Sequence, residues 1–201
     1  MPNLFTFPTL IDFSLPTAMV AGLIVYVICL IFFFSHKKPL QNLCLAALFV
    51  YIGALVSLTM VIPMPSIWHI NSISAMQQVN SINWIPFKST ATILHNSISI
   101  GNYKEFLRII GGNFVMLMPL GFLVPLINPR FRLGAMTLLS ILVPIGIEGL
   151  QLLNNILCAR PLRSVEMDDV ILNAAGCMLA YLIFAGLRRL FKPKRKGRHY
   201  S

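Results

Sequence analysis

Five long apolar segments determine what this chain can fold into. They cover residues 17–34, 40–62, 106–127, 133–153 and 170–187. The hydrocarbon core of a bilayer, about 30 Å thick, needs roughly 20 apolar residues in a helix that satisfies its own backbone hydrogen bonds. Of the whole chain, 57% is hydrophobic and only 11% is charged. We therefore predict an all-α integral membrane protein in which five transmembrane helices form a bundle.

The third apolar segment is less regular than the other four. It carries Arg108 and Asn113 and a pair of glycines at 111–112. Such residues disfavour a straight helix that is exposed to lipid along its whole length. We expect the membrane span to begin near Asn113 after an irregular start, and we expect Pro119 to kink it.

Basic residues are distributed unequally between the two sides of the predicted bundle. Lys and Arg accumulate in three stretches: after the first segment, between the third and the fourth, and at residues 188–198. None of these stretches contains an acidic residue. Because cytoplasmic loops retain Lys and Arg, this pattern predicts an N-terminus outside and a C-terminus in the cytoplasm. Residues 1–16 contain no Lys or Arg, so we expect no cleaved signal peptide.

The predicted outer loop between the second and third helices, residues 63–105, is too long for a simple connection in a compact bundle. Trp68, Trp84 and Phe87 are residues typical of the headgroup interface, so we predict that part of this loop lies along the membrane or re-enters it. A lid that closes over a ligand is the alternative.

The net charge of +10 originates largely from the bases at residues 188–198, directly after the last apolar segment. Membrane insertion topology explains such a run, so we expect no nucleic-acid partner. Anionic lipid headgroups are an alternative partner for this basic tail, since each base near the surface contributes about 1 kcal/mol.

A carboxylate inside the fourth apolar segment, Glu148, marks a candidate site. A charged residue at mid-membrane costs roughly 2.5 to 3.5 kcal/mol, so such residues usually face the protein interior and have a function. Gln151 lies on the same helical face, and further polar residues enter the fifth segment. The candidate ligand-binding residues are Asn113, Glu148, Gln151, Arg163, Glu166, Asp168, Asp169 and Asn173.

This polar cluster has two interpretations. In the structural one, Arg163 or Arg108 neutralises Glu148 or Asp169, and amide side chains join the helices by hydrogen bonds. In the functional one, the same groups line an outward-open cavity for a polar headgroup, a peptide or a sugar. The sequence has no metal-ligand spacing, phosphate-binding glycine loop or nucleophile elbow, so we expect no metal and no cofactor and assign no catalytic residue.

The order of these motifs resembles that of VanZ-like membrane proteins. The matching residues are Asn83, Trp84, Ile85, Pro86 and Phe87, then Asn113, Pro119, Leu120, Gly121, Glu148, Gln151, Arg163, Ser164, Glu166, Asp168, Asp169, Asn173 and Gly176. Glu166 stands where the family usually has Asp, which keeps the carboxylate but lengthens its reach. The resemblance divides the chain into a two-helix region at 1–62, a VanZ-like domain at 63–187 and a basic cytoplasmic tail at 188–201.

The resemblance implies a multi-pass protein of the bacterial plasma membrane with a role in the cell envelope. The named member of the family is linked to resistance to teicoplanin, a lipid-bearing glycopeptide. Our first hypothesis is that the outward-facing polar site binds an amphiphile, either a lipoglycopeptide or a lipid-linked envelope molecule. The alternatives are a membrane enzyme that acts on a lipid-linked substrate, with Glu148 or Asp169 as general base, and a lipid transporter. The sequence assigns no oligomeric state.

Overall fold

Helices account for most of the chain in the computed structural model, which describes residues 14–34, 37–60, 74–158 and 161–191. The α-helices are α1 (Leu15–Cys29), α2 (Pro39–Thr59), α3 (Ala75–Asn80), α4 (Lys88–Ile100), α5 (Lys104–Phe106), α6 (Gly112–Met116), α7 (Met118–Ile127), α8 (Leu133–Leu157) and α9 (Met167–Leu190). Two π-helical turns, Leu30–Phe34 and Leu107–Gly111, continue α1 and join α5 to α6.

Five helical stretches are long and apolar enough to cross a membrane. They are Leu15–Phe34, Pro39–Thr59, Lys104–Ile127, Leu133–Leu157 and Met167–Leu190. Many large apolar side chains on these stretches are exposed, among them Phe32 and Phe33. Such exposure is expected where lipid and not protein covers the surface. The all-α class and the five predicted spans are confirmed, whereas the direction in which they cross the membrane stays a prediction from charge.

Two of the predicted helices were too short, because polar residues that the hydropathy pattern excludes belong to them. The fourth span continues beyond residue 153 to Leu157, and the buried Asn155 in its last turn holds the following loop by hydrogen bonds. The fifth span begins at Met167 and not at residue 170, with Asp168 in its first turn. Acidic side chains are favourable there because the N-terminal end of a helix carries partial positive charge.

The third span is irregular at the places that the sequence indicates. It begins at Lys104, earlier than expected, and passes through the π-helical turn before α6. Leu117, with φ −97° and ψ 4°, interrupts the helix between α6 and α7. Pro119 then lies in the first turn of α7, where a missing N–H removes no helical hydrogen bond. The expected interruption near Pro119 therefore takes the form of a helix break.

The last helix, α9, packs against α6, α7 and α8. Its contacts depend on small residues that let backbones approach. A Cβ atom at Gly176 would collide with the backbone carbonyl of Phe114, and one at Gly121 would collide with that of Cys177. A buried apolar cluster fills the remaining space and contains Leu117, Leu120, Met136, Ile147, Cys177 and Tyr181.

The loop between the second and third spans is attached to the N-terminal end of α9. Residues 61–73, including Trp68, lie outside the described residues, and the remainder contains α3 and α4. A parallel bridge joins Asn83 to Glu166. In this bridge the Asn83 N–H donates to the Val165 carbonyl, and the Met167 N–H donates to the Asn83 carbonyl, both at 3.0 Å. The exposed Trp84 and Phe87 lie just after the bridge.

Candidate functional site

A cavity of about 890 Å³ lies between α2, the third span, the C-terminal half of α8 and the N-terminal end of α9. Most of the predicted site residues meet here. Its polar lining includes Tyr51, Thr59, Arg108, Asn113, Glu148, Gln151, Arg163, Ser164, Glu166 and Asp169. Of the predicted residues, Asp168 and Asn173 do not line it. The converging helices thus bring together side chains that are far apart in sequence.

Glu148 is the most buried carboxylate of the cavity, with 7% of its surface exposed. Its Oε2 accepts a hydrogen bond from the backbone N–H of Glu166 at 3.1 Å. The Ser164 hydroxyl donates to Oε1 of Glu166 at 2.6 Å. The segment before α9 therefore folds over Glu148 and places a second carboxylate beside it.

Asp169 connects α9 to the third span. The Asn113 side-chain amide donates to Oδ1 of Asp169 at 2.5 Å. One turn further along α9, the amide of Asn173 donates to the backbone carbonyl of Asp169 at 2.8 Å. Asn173 is buried, and its Oδ1 has no hydrogen-bond partner among the residues that the structure describes. Asn113 therefore acts at the cavity surface, whereas Asn173 lies beneath it within the helix packing.

The end of α2 accepts hydrogen bonds from two of the predicted residues. Gln151 donates through Nε2 to the Thr59 carbonyl at 3.1 Å, and Arg163 donates through Nη2 to the Leu58 carbonyl at 3.0 Å. The last carbonyls of a helix lack partners within the helix and carry partial negative charge, so a guanidinium is favourable there. The Arg163 guanidinium thus donates to a backbone carbonyl of α2, whereas the structural interpretation had Arg163 or Arg108 neutralise Glu148 or Asp169.

Asn155, which the sequence analysis did not single out, fixes the position of Arg163. Its Oδ1 accepts from the backbone N–H groups of Leu162 and Arg163 at 2.9 and 3.1 Å, and its Nδ2 donates to the Arg163 carbonyl at 2.7 Å. The available signal in the sequence is a pair of asparagines at 154–155, just after the predicted end of the fourth helix.

Asp168 contacts the loop and not the cavity. Its carboxylate accepts from the Phe87 N–H at 2.5 Å and from both the N–H and the hydroxyl of Thr90 at 2.8 Å. Phe87 is the N-cap of α4 and has a left-handed backbone, φ 61° and ψ 9°. Because a Phe side chain cannot cap a helix, Asp168 supplies the acceptor from another element. Its position favours a role in holding the loop against α9.

The second span also contributes to the site, because Tyr51 and Thr59 of α2 line the cavity. The Tyr51 hydroxyl also donates to the Met116 carbonyl at 2.8 Å, near the break in the third span. A single Tyr in an apolar helix resembles an ordinary membrane-interface residue, so only the three-dimensional arrangement identifies it.

Charges of both signs line the cavity. Glu148, Glu166 and Asp169 supply carboxylates, while Arg108 and Arg163 supply guanidinium groups. A ligand with both cationic and anionic groups would find complementary partners here. Within the described ranges, no three His, Cys, Asp or Glu side chains come together as they would around a metal ion.

An apolar pocket of about 380 Å³ lies on the other side of the Glu148 and Glu166 pair. Apart from these two residues, its lining consists of Ile82, Trp84, Ile141, Ile145, Gly149, Leu152, Val165, Met167 and Val170. Glu148 and Glu166 are thus shared between the polar cavity and the apolar pocket. The two compartments together have the polarity of an amphiphile, with a headgroup at one end and an acyl chain at the other.

Comparison with known proteins identifies a family for most of this region. Residues 48–191 match the family model described as VanZ/LLP1. No curated protein and no solved structure matches the chain. The matched range begins within α2 and contains every residue that lines the cavity.

Proposed function

The chain belongs to the VanZ-like family, and we propose that it is a bacterial plasma-membrane protein that binds an amphiphile of the cell envelope. The observation that carries this proposal is the shared position of Glu148 and Glu166 between the polar cavity and the apolar pocket. The headgroup of the ligand would occupy the cavity and its acyl chain the pocket. Binding of a lipoglycopeptide such as teicoplanin would lower the amount that reaches its target.

The two compartments favour an amphiphile over a small polar solute. A carboxylate between a polar cavity and an apolar pocket suits a ligand that offers a hydrogen-bond donor on one side and hydrocarbon on the other. Trp84 lines the apolar pocket from the loop, and Ile145 and Leu152 line it from α8. A solute without hydrocarbon would leave these side chains in contact with water or membrane lipid.

We expect Glu148→Gln to abolish protection of a sensitive Gram-positive host against teicoplanin. The exchange preserves shape and an oxygen that can accept from the Glu166 N–H, but it removes the negative charge. A hydrogen bond to a charged group contributes about 1.5 to 3 kcal/mol, so affinity should fall roughly 10- to 100-fold. The measurement is the minimum inhibitory concentration of teicoplanin and of vancomycin, which lacks the acyl chain.

The control for this experiment is Glu105→Gln. Glu105 is an exposed carboxylate of α5 outside the cavity lining, and its exchange removes the same charge. Membrane levels of all variants should be matched by immunoblot. Equal protection by wild type and Glu148→Gln would remove the support for a binding role of this carboxylate, and absence of protection by wild type would leave an envelope lipid as the ligand to be sought.

We expect Gly149→Leu to weaken binding of an acylated ligand by filling the apolar pocket. Gly149 lines this pocket, and a Cβ there meets no atom within 4 Å. Displacement of about three methylenes would cost about 2 kcal/mol, roughly 30-fold in affinity. Gly146→Leu is the matched control, since Gly146 lies on the same helix, is equally unobstructed and does not line the pocket. Titration of the protein in nanodiscs with acylated and deacylated glycopeptide should reveal a loss only for the acylated form.

A second candidate function is hydrolysis of a lipid-linked ester, and one contact favours it. The Ser164 hydroxyl donates to Glu166 at 2.6 Å beside Arg163 in the cavity. Glu166 could take the hydroxyl proton as the Ser164 oxygen bonds to the ester carbon, and pass it to the departing alkoxide; water would then release the acyl group. Incubation of the protein with labelled envelope lipids tests this, because Ser164→Ala should stop product formation.

A further inference from the structure

Another pocket, of about 420 Å³, lies at the end of the bundle opposite the polar cavity. It forms where α7 ends, α8 begins and α9 reaches its last turn. The cavity, by contrast, uses the C-terminal half of α8 and the first turn of α9. The two sites are therefore separated by most of the length of the two longest helices.

Three arginines converge on this pocket without an acidic neighbour in its lining. They are Arg132 before α8 and Arg188 and Arg189 in the last turn of α9. The acidic side chains of the described part of the chain are Glu105, Glu148, Glu166, Asp168 and Asp169, and none of them lines this pocket. Guanidinium groups at one site that carboxylates do not neutralise favour the binding of an anion.

One of these arginines, Arg188, is also oriented by a hydrogen bond. The Arg188 Nη1 donates to the Pro129 carbonyl at 3.3 Å, which fixes this guanidinium against the loop before α8. A guanidinium has five N–H donors, so this contact leaves others for a ligand. Arg132 is the N-cap of α8, and its side chain makes no capping hydrogen bond to the helix. Leu133, the first residue of α8, also borders the pocket, so unpaired N–H groups of the first turn lie close to the arginines.

The remaining walls of the pocket are aromatic or apolar. Phe131, Tyr181 and Phe184 lie beside the arginines, and Tyr181 is buried in the core cluster. A pocket lined by both guanidinium groups and aromatic rings fits the region where a lipid headgroup meets its acyl chains. A free inorganic anion would use only the arginines.

We propose that this pocket binds a phosphate group, either that of an anionic phospholipid headgroup or free phosphate. The site includes the first two bases of the basic tail, Arg188 and Arg189, but it adds Arg132 and the aromatic residues Phe131, Tyr181 and Phe184, which lie outside the tail. It is also independent of the amphiphile site, since no residue is common to the two linings. Failure of one proposal therefore leaves the other unaffected.

Native mass spectrometry of the full chain in neutral detergent tests this proposal. The ligands are phosphatidylglycerol, zwitterionic phosphatidylcholine and inorganic phosphate. We expect wild type to retain phosphatidylglycerol in preference to phosphatidylcholine. Arg132→Gln should weaken this binding by roughly tenfold, because one charged hydrogen-bond donor is lost. Competition by millimolar inorganic phosphate would identify free phosphate as the natural source, and absence of competition would identify the lipid.

Arg130→Gln is the matched control. Arg130 lies in the same loop and carries the same charge, but it does not line the pocket. An equal loss in Arg130→Gln and Arg132→Gln, equal binding of both lipids, or no binding of either phosphatidylglycerol or phosphate would each overturn the proposal. Arg189→Gln provides a second variant should Arg132→Gln fail to fold, and it should produce the same selective loss.

Discussion

Gly176→Leu should prevent α9 from packing against the third span and should leave little folded protein after extraction from the membrane. The Cβ of residue 176 would collide with the backbone carbonyl of Phe114 in α6. A backbone atom cannot move aside as a flexible side chain can. Helices α6 and α9 would have to separate. The packing of α9 against α7 and α8 would oppose this movement.

Separation of α6 from α9 would also damage the candidate site. Asn113 precedes Phe114 and donates to Asp169 on α9, so movement of α6 would stretch this hydrogen bond. Overpacking costs about 1 to 3 kcal/mol and a lost hydrogen bond to a charged group about 1.5 to 3 kcal/mol, which together approach the whole stability of many proteins. We therefore expect the midpoint of thermal unfolding to fall by roughly 5 to 25 °C, if the variant folds at all.

Gly186→Leu is the control for this substitution. Gly186 lies on the same helix, and a Cβ there meets no atom within 4 Å. Fluorescence-detected size exclusion and thermal unfolding in detergent should show wild-type behaviour for this variant. A monodisperse Gly176→Leu protein with the unfolding midpoint of wild type would contradict the close approach of α6 and α9.

The fold could be predicted from the sequence because lipid imposes a simple requirement on it. Each span needs a long apolar segment, and all five segments are visible without any knowledge of tertiary structure. The ends of the spans were less predictable. Asn155 and Asp168 extend α8 and α9 through polar contacts with other segments, and a hydropathy criterion treats such residues as loop.

Membership of the candidate site was predictable only in part. Polar residues in apolar segments identify a cluster, but the sequence does not determine which way each side chain points. Asp168 and Asp169 are neighbours, so they point about 100° apart around the helix. Asp169 consequently reaches Asn113 in the cavity, whereas Asp168 reaches Phe87 and Thr90 in the loop.

The contribution of the loop to the candidate site could not be predicted from the sequence of the loop itself. The sequence indicates aromatic residues suited to a membrane interface, but the bridge between Asn83 and Glu166 joins segments far apart in the chain. This bridge matters for the site because Glu166 also donates its N–H to Glu148. The loop thereby helps to set the position of Glu148 and Glu166. The hydrogen bonds that attach the loop to Asp168 should therefore affect the site as well.

We expect Asp168→Asn to release the loop from α9 while the five spans remain folded. Each carboxylate oxygen of Asp168 now accepts from an N–H group, Oδ1 from Phe87 and Oδ2 from Thr90. An asparagine would place its own NH₂ group against one of these donors. The left-handed backbone of Phe87 would also lose its support, and such a conformation costs about 1 to 3 kcal/mol. A loss of about 3 kcal/mol should accelerate amide hydrogen exchange in residues 83–90 roughly 100-fold.

A compensating substitution separates this mechanism from general destabilisation. Phe87 has φ 61°, a conformation that glycine adopts without strain. Phe87→Gly should therefore restore part of the exchange protection when it is combined with Asp168→Asn. It would not do so if Asp168 acted by contact with a ligand. Wild-type exchange rates in Asp168→Asn would show that the Asn83 bridge alone holds the loop. Recovery of exchange protection in the double variant, together with restored amphiphile binding, would establish that Asp168 acts on the cavity through the loop.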